Sequence, residues 1–416
     1  MKKKIVIVGG GITGCVTALA ASKFGFEVEL YEKGNDLGGI LRDVSYKKNI
    51  FYSGCQYFNP HQDWYKIYIE NDFETYKFNH KKFSITNFFG KKVFSESVAG
   101  VISERFITLE DLNLKFSHNK TLKSRLNIYP RKIFLKIQKW LKDNRFDIEK
   151  LSFKSIDGLG LKRVFPMENF SVIKKLKKEN KRYDNLIGLS DKYMKSNETT
   201  FASLPLDGFN KYFSDFHKIL IKNKVKVFLN SIVKPSWKKK ELKLIYKSKE
   251  IKNDYVYWSG NPTGLIKSYG FSTLDSKYIN SKNFFFELSG NIDNEFYIQI
   301  YDMNIPVSRI FVYKLKKKLK VTVETISSDI ETKDVINYSN KVFKEFFPSQ
   351  NLKIKNNHDC NKIIKKYVLV TNEDHLLINK FINETKKTNL LKGSWLNYSR
   401  DEKINLSIQN LKDINS

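Results

Sequence analysis

The feature that most constrains this chain lies at its start. Lys4-Ile5-Val6-Ile7-Val8 runs directly into Gly9-Gly10-Gly11-Ile12-Thr13-Gly14, and a second apolar run from Phe26 to Tyr31 ends on Glu32. The first run has the composition of a strand buried on both faces, as in a parallel sheet. Gly9-x-Gly11-x-x-Gly14 then supplies a tight turn, a close backbone approach to a pyrophosphate and a close helix–strand contact. The helix expected from Cys15 to Phe24 presents its unpaired N–H groups and its dipole to phosphates. Glu32 closes the second strand, where a carboxylate accepts from ribose hydroxyls. Strand, glycines, helix, strand and acid in register predict a Rossmann-like dinucleotide-binding βαβ unit, with Gly9, Gly11, Ile12, Thr13, Gly14 and Glu32 against the ligand.

Lys2-Lys3-Lys4 before an apolar run also resembles a secretory leader, but three glycines and Thr13 interrupt that run. No segment is apolar enough to span a bilayer, so no transmembrane segment is expected. Cys15, Cys55 and Cys360 lie far apart without metal-ligand spacing, which points to a reducing, cytoplasmic setting and to no metal site. The six histidines, His61, His80, His118, His217, His358 and His375, are equally dispersed. The formal net charge is +30, yet the excess is mainly lysine spread along the chain, with arginine scarce, so no nucleic acid is expected as a partner. Lys174-Lys175-Leu176-Lys177-Lys178 reads as a solvated helix face, and Lys314 to Lys320 as the end of a hairpin.

After Glu32 comes a second glycine loop, Lys33-Gly34-Asn35-Asp36-Leu37-Gly38-Gly39-Ile40, and then Phe51-Tyr52-Ser53-Gly54-Cys55-Gln56-Tyr57-Phe58, an apolar-aromatic strand broken by Gly54. Helical periodicity takes over between about Ile102 and Lys195, with Trp140 on an amphipathic, core-facing stripe. Phe209 to Lys222 reads as a helix, Val225–Asn230 with Ile232-Val233 as a strand pair, and Tyr255–Trp258 as a buried strand ending in Ser259-Gly260-Asn261-Pro262. Asn283–Leu288, Glu295–Tyr301, Ser308–Tyr313 and Leu319–Thr325 alternate as an antiparallel sheet with one solvated face does. Helices are expected near Asp334–Phe347 and Asp374–Lys386, before Gly393-Ser394-Trp395-Leu396-Asn397-Tyr398.

The fingerprint with Glu32 and Gly38-Gly39 resembles the FAD-binding signature of the amine oxidase and protoporphyrinogen oxidase superfamily. Pro205-x-x-Gly208-Phe209 followed by the Val225–Val233 segment resembles its adenine-side stretch, which implies Val233 as a cofactor contact. The Gly393–Tyr398 run resembles its closing motif, which implies Gly393, Asn397 and Tyr398 near the flavin; Lys33 and Ile40 flank the second glycine loop and are implied with it. The implied fold is α/β: a Rossmann-like, glutathione reductase-like FAD-binding domain (1–100, 196–265 and 388–416) carrying a helical insert (101–195) and an antiparallel β-sheet substrate domain (266–387).

Within the superfamily the chain most resembles UDP-galactopyranose mutases. Gly54-Cys55-Gln56-Tyr57-Phe58 is similar to their Gly-Pro-His-Ile-Phe strand, Ser308-Arg309-Ile310-Phe311-Val312-Tyr313-Lys314 to their Thr-Arg-Ile-x-Glu-x-Lys segment, and Tyr367–Asn372 to their Tyr-Pro-Ile/Val-Pro stretch. Three positions depart from that pattern: Gln56 replaces a histidine, Ser394 an arginine and Arg400 a tyrosine.

The resemblance implies FAD as cofactor and a small-molecule substrate, with a UDP-sugar as first candidate, in surface-polysaccharide synthesis. Reduced flavin would then act as a nucleophile through N5, and Arg309 and Arg400 would clamp a diphosphate beside Gln56. The alternative is an oxidoreductase in which oxidised FAD takes hydride from a small molecule, with Tyr52, Tyr57, Trp395 and Tyr398 walling the pocket. A flavin-binding protein without catalysis is a third reading, and a homo-oligomer is compatible with each. For Arg309 a plain strand ion pair competes with the clamp. Cys15, at a helix start, is either a low-pKa thiol or a small packing residue.

Overall fold

The computed structural model describes residues 2–79, 84–88, 91–94, 121–129, 131–143, 145–159, 161, 170–186, 201–301, 307–326, 329–355 and 360–415. Strand β1 (Lys4–Val8), helix α1 (Ile12–Lys23) and strand β2 (Glu27–Tyr31) form the expected unit. β1 lies at the centre of a four-stranded parallel sheet, between β2 and Tyr255–Trp258, with Lys226–Phe228 beyond β2. Both faces are covered, so Ile5, Val6 and Ile7 are fully buried, as their unbroken apolar run requires. α1 begins at Ile12, three residues before the position read from sequence, which puts Ile12 and Thr13 in its first turn.

The segment after Lys226–Phe228 corrects one expectation. Ile232-Val233 is not a strand, and the next strand runs Lys234–Lys238. Asn230 takes a left-handed φ of +50°, and the amides of Asn230 and Ser231 bond the carbonyls of Gly34 and Glu32, so this backbone is spent on the loop after β2.

The second layer is an eight-stranded sheet built around the long strand Lys277–Ser289, with Lys318–Thr325, Val307–Leu315 and Phe296–Tyr301 following it antiparallel. Ser84–Phe88 adds parallel to Phe296–Tyr301 and pairs in turn with Lys91–Phe94. Residues 84–88 and 91–94, assigned from sequence to the nucleotide-binding unit, therefore belong to the edge of this sheet. Two strands this short carry too little periodicity to say which sheet they join. Lys316 and Lys317 turn the hairpin between Val307–Leu315 and Lys318–Thr325 with left-handed φ values, as its lysine-rich end suggested.

The described part of the insert is helical: Leu122–Leu126, Arg131–Asp143, Ser155–Gly158, Phe170–Glu179 and Lys181–Leu186. Residues 101–120 and 187–195 of the expected insert lie outside the described residues. Its core gathers Leu122, Leu126, Trp140, Leu141 and Ile173 with Tyr301 and Leu369 from the sheet, and the Trp140 and Tyr301 rings meet edge to face at 5.6 Å. Trp140 is core, as its helical spacing implied. Lys177 departs from the solvated face expected of its run: it is buried and pairs with Asp184 at 3.1 Å. A buried ammonium needs such a partner. Among the described residues no helix is long and apolar enough to cross a membrane.

Candidate active site

The site grows from the C-terminal edge of the parallel sheet, where an open α/β sheet offers its crevice. Gly9 has φ +107° as the chain turns from β1 into α1. A Cβ on Gly14 would collide with the Gly9 carbonyl oxygen, so helix and strand approach as closely as the spacing predicted. The Gly38 amide bonds the Gly10 carbonyl at 2.8 Å, and Gly38, at φ +109°, lies so near the Phe213 ring that no Cβ fits. The Glu32 carboxylate joins the two loops, accepting from the Gly10 amide at 2.6 Å and the Gly34 amide at 2.7 Å. Cys15 is fully buried, its thiol donating to the Gly10 carbonyl at 3.3 Å, and burial pushes its pKa up. It is a packing residue rather than an activated thiol.

These loops open into a cavity of about 640 Å³, within the range of small-molecule and cofactor sites. Gly9, Gly11, Ile12, Thr13, Glu32, Gly38, Gly39 and Ile40 line one part; Gln56, Tyr57, Arg309, Asn397, Tyr398 and Arg400 line another. Four residues assigned to the cofactor from sequence do not line it: Gly14, Lys33, Val233 and Gly393. Gly14 acts through packing, Lys33 is exposed, and Val233 is buried in the core cluster that holds Tyr31 and Val256. Gly393 is buried against the Trp395 ring, which leaves no room for a Cβ.

The far end of the cavity is an arginine–tyrosine network. Arg400, the first residue of the final helix Arg400–Asn415, donates to Gln56 Oε1 at 2.6 Å and to the Tyr57 carbonyl at 2.7 Å. The Tyr57 ring stacks on Tyr297 at 6.5 Å, and Arg309 lies over the Tyr297 ring at 5.5 Å. Arg309 also donates from Nε and Nη2 to Gln299 Oε1, at 3.1 and 3.0 Å, and stands 3.8 Å from Glu324. Glu324 is buried and accepts from the Cys55 amide at 2.6 Å. The strand ion pair considered for Arg309 is thus present, with a buried carboxylate, and the guanidinium still reaches the cavity wall.

Tyr398 and Trp395 also line the cavity, whereas Tyr52 lies in the core with its hydroxyl on the Pro205 carbonyl. Burial holds the Tyr398 hydroxyl up at about 12, opposed by hydrogen bonds to Ser155 and Val370. Sequence reasoning passed over Ser259–Thr263, Asn59, Asp401 and Lys403, all in the wall. Ser259–Thr263 had a readable signal, as a turn following a buried parallel strand. Among the described residues no group of His, Cys, Asp and Glu could hold a metal ion. His80, His118 and His358 lie outside the described residues.

Residues 7–70 match the NAD(P)-binding Rossmann-like domain family. Over 45 residues, 11% of this chain, the sequence is 51% identical to an NADH oxidase of Thermoanaerobacter brockii, and that stretch spans only 7% of the relative's length. The fold is similar to that of a reduced UDP-galactopyranose mutase, at TM-score 0.67 and 13% identity over 99% of this chain and 95% of the other. It is also similar to cyclohexylamine oxidase from Brevibacterium oxydans IH-35A, at TM-score 0.64 and 8% identity over 100% and 99% of the two chains. A putative protoporphyrinogen oxidase from Exiguobacterium sp. 255-15 aligns at TM-score 0.61 and 12% identity over 100% and 99%. Over its full length the chain thus has the fold shared by these three proteins, with a nucleotide-binding Rossmann-like unit at residues 7–70.

Proposed function

We propose that this chain is an FAD-dependent enzyme of the reducing cytoplasm that acts on a nucleotide-activated sugar, in the manner of a UDP-galactopyranose mutase. The residues suit FAD: two glycine turns free of Cβ atoms accept a backbone-hugging diphosphate, and Glu32 stands ready for the ribose of the adenine half. Bound FAD supplies either a nucleophilic N5 when reduced or a hydride acceptor when oxidised.

The observation that carries the substrate reading is that Arg309 and Arg400 face one cavity and are joined through the Tyr57–Tyr297 stack. Two guanidiniums of fixed orientation favour a dianionic leaving group over a neutral substrate. Arg400 orients the Tyr57 backbone, and the stacked rings exclude water beside the anion, which strengthens its hold. Gln56 is engaged by Arg400 and so acts by placing that arginine.

The hydride-removing oxidoreductase has an observation in its favour as well. Glu324 and Gln299 occupy much of the Arg309 fork, and Trp395, Tyr398 and Tyr57 give the cavity an aromatic wall suited to an apolar amine or alkene. The visible spectrum of the FAD-loaded protein, oxidised and then anaerobically reduced, separates the two under titration with UDP. A saturable flavin shift with UDP, strongest in the reduced form, is expected for the sugar-nucleotide enzyme. A spectrum indifferent to UDP but bleached by an amine transfers the assignment to the oxidoreductase.

A further inference from the structure

Among the described residues three cations line the cavity: Arg309, Arg400 and Lys403. Arg309 is committed to Gln299 and Glu324, and Arg400 to Gln56 and the Tyr57 carbonyl. The neighbouring acid Asp401 accepts from Asn59 at 2.8 Å and Trp64 at 3.1 Å. Lys403 differs from all of them. It is part-buried in the cavity wall, and no described residue hydrogen-bonds or ion-pairs with its ammonium. A desolvated ammonium without an acceptor is unfavourable unless a ligand completes it.

Two helices fix what lies beside this lysine. α1 and the final helix touch where the Thr17 hydroxyl donates to the Ser407 hydroxyl at 2.7 Å. Lys3, at the foot of β1, donates to the Ile414 carbonyl at 3.1 Å, so the end of the final helix lies at the same side of the sheet as the end of α1. The helices therefore run in the same direction, with both N-termini at the cavity. Four residues before the touching pair, about one helical turn, stand Thr13 on α1 and Lys403 on the final helix, both in the cavity wall. The first turn of α1 is where the glycine loop receives phosphates, and that loop brings N–H groups but no cation. Lys33, the nearest lysine in sequence to the ribose-binding acid, is exposed and outside the wall.

We infer that Lys403 is the cationic contact for the diphosphate of the bound dinucleotide, delivered by the final helix to the N-terminus of α1. This rests on the FAD reading above and adds to it the residue that balances the cofactor's charge. Burial holds the Lys403 ammonium below the usual lysine range, with Glu402 opposing and Arg400 adding to the effect. A diphosphate beside it acts in the opposite direction and favours the charged form.

The test is equilibrium titration of the apoprotein with FAD, ADP and riboflavin, in the wild type, Lys403→Met and Lys403→Arg. ADP carries the diphosphate without the ring, and riboflavin the ring without phosphate. Lys403→Met is expected to weaken FAD and ADP by about tenfold or more, the scale of a lost charge-assisted hydrogen bond, and to leave riboflavin unchanged, while Lys403→Arg recovers most of the loss. The Met apoprotein should melt no lower than the wild type, because an unpaired, part-buried charge has been removed. If it fails to fold, Lys403→Gln serves the same comparison. FAD and ADP bound equally by wild type and variant would overturn the assignment while leaving FAD binding intact. Loss of riboflavin with ADP unaffected would move the lysine to the ring and also overturn it. A wild type that binds none of the three brings down the FAD reading itself.

Discussion

The Arg400 guanidinium donates to Gln56 Oε1 at 2.6 Å. Both residues depart from the UDP-galactopyranose mutase pattern, Gln56 standing for a histidine and Arg400 for a tyrosine, and the two departures meet. The second arm of the same guanidinium takes the Tyr57 carbonyl at 2.7 Å, and its face covers Phe58 at 5.4 Å. One arginine thus orders three consecutive residues of the segment that borders the cavity. The exchange reads as a coupled replacement in which this stretch of the cavity wall is held by the guanidinium fork.

Coupling of that kind is measurable. Gln56→Ala and Arg400→Ala are expected to be non-additive in urea unfolding, with an interaction energy on the order of 0.5–3 kcal/mol, the range for residues in direct contact. Strict additivity would mean that the pair is a proximity without mutual support. Arg400→Lys should behave more like Arg400→Ala than like the wild type, since an ammonium cannot serve two acceptors in one plane.

The readable parts of this fold were those that local chemistry encodes. β1, the glycine turn, α1, β2 and Glu32 follow from one buried strand, one forbidden Cβ and one strand-end carboxylate, all within a single βαβ unit. The central strands of the larger sheet were legible as strands, but the solvated face expected of them is absent, since Phe296–Tyr301 is buried at every position; Arg309, Arg400 and Gln56, expected by resemblance, do share a cavity. What sequence did not disclose depends on contacts between distant segments. Lys403 sits one turn into an unremarkable charged helix, and the packing of that helix on α1, marked by the Thr17–Ser407 contact, puts it in the same cavity wall as Thr13. Ser84–Phe88 joins the large sheet through Phe296–Tyr301, a partner half the chain away. Val233 missed the cavity because Asn230 and Ser231 turn the backbone toward Glu32 first.

Gly14→Ala tests the phosphate end. The added methyl meets the Gly9 carbonyl oxygen, a backbone atom that cannot rotate away, so strand and helix must separate. A loss of about 1–3 kcal/mol in apoprotein stability is expected from this overpacking. The ratio of flavin to protein absorbance after purification should fall close to zero. A variant that keeps its flavin would show that the helix–strand approach is not what shapes the site.

Asp43 carries a pH signature. Its carboxylate accepts from the Asn210 amide at 2.8 Å at the start of helix Phe209–Lys222, yet its other oxygen is buried without a partner. Burial raises its pKa from 3.8 to about 6, against the amides of Asn210 and Phe209 and the charges of Arg42 and Lys320. Between those two values the folded state holds more protons than the unfolded chain, so Asp43's contribution to stability is fully present below the lower value and is lost as pH rises through the upper one. Asp43→Asn removes that dependence. Subtracting its stability curve from that of the wild type should leave a fall on the order of 2–3 kcal/mol across the window, read by thermal or urea unfolding. A flat difference would mean that water reaches Asp43 and no such burial acts on it.

Arg309 has two duties, and one pair of variants separates them. Toward the sheet it neutralises Glu324, which is only 3% exposed and also holds the Cys55 amide. Toward the cavity it presents positive charge in the wall, which the proposed function assigns to a substrate anion. Arg309→Ala alone leaves a buried carboxylate poorly compensated, so stability should drop by about 1–3 kcal/mol, the cost of an unsatisfied buried group, and any loss of UDP binding would be confounded with that drop. Combining it with Glu324→Gln removes the orphaned charge while keeping an acceptor for Cys55, so most of the stability should return. The affinity for UDP, followed through the flavin spectrum, should not return; it should stay about 1.5–3 kcal/mol weaker, as for a lost hydrogen bond to a charged group. Recovery of both together would assign Arg309 to the sheet alone and take it out of the substrate site.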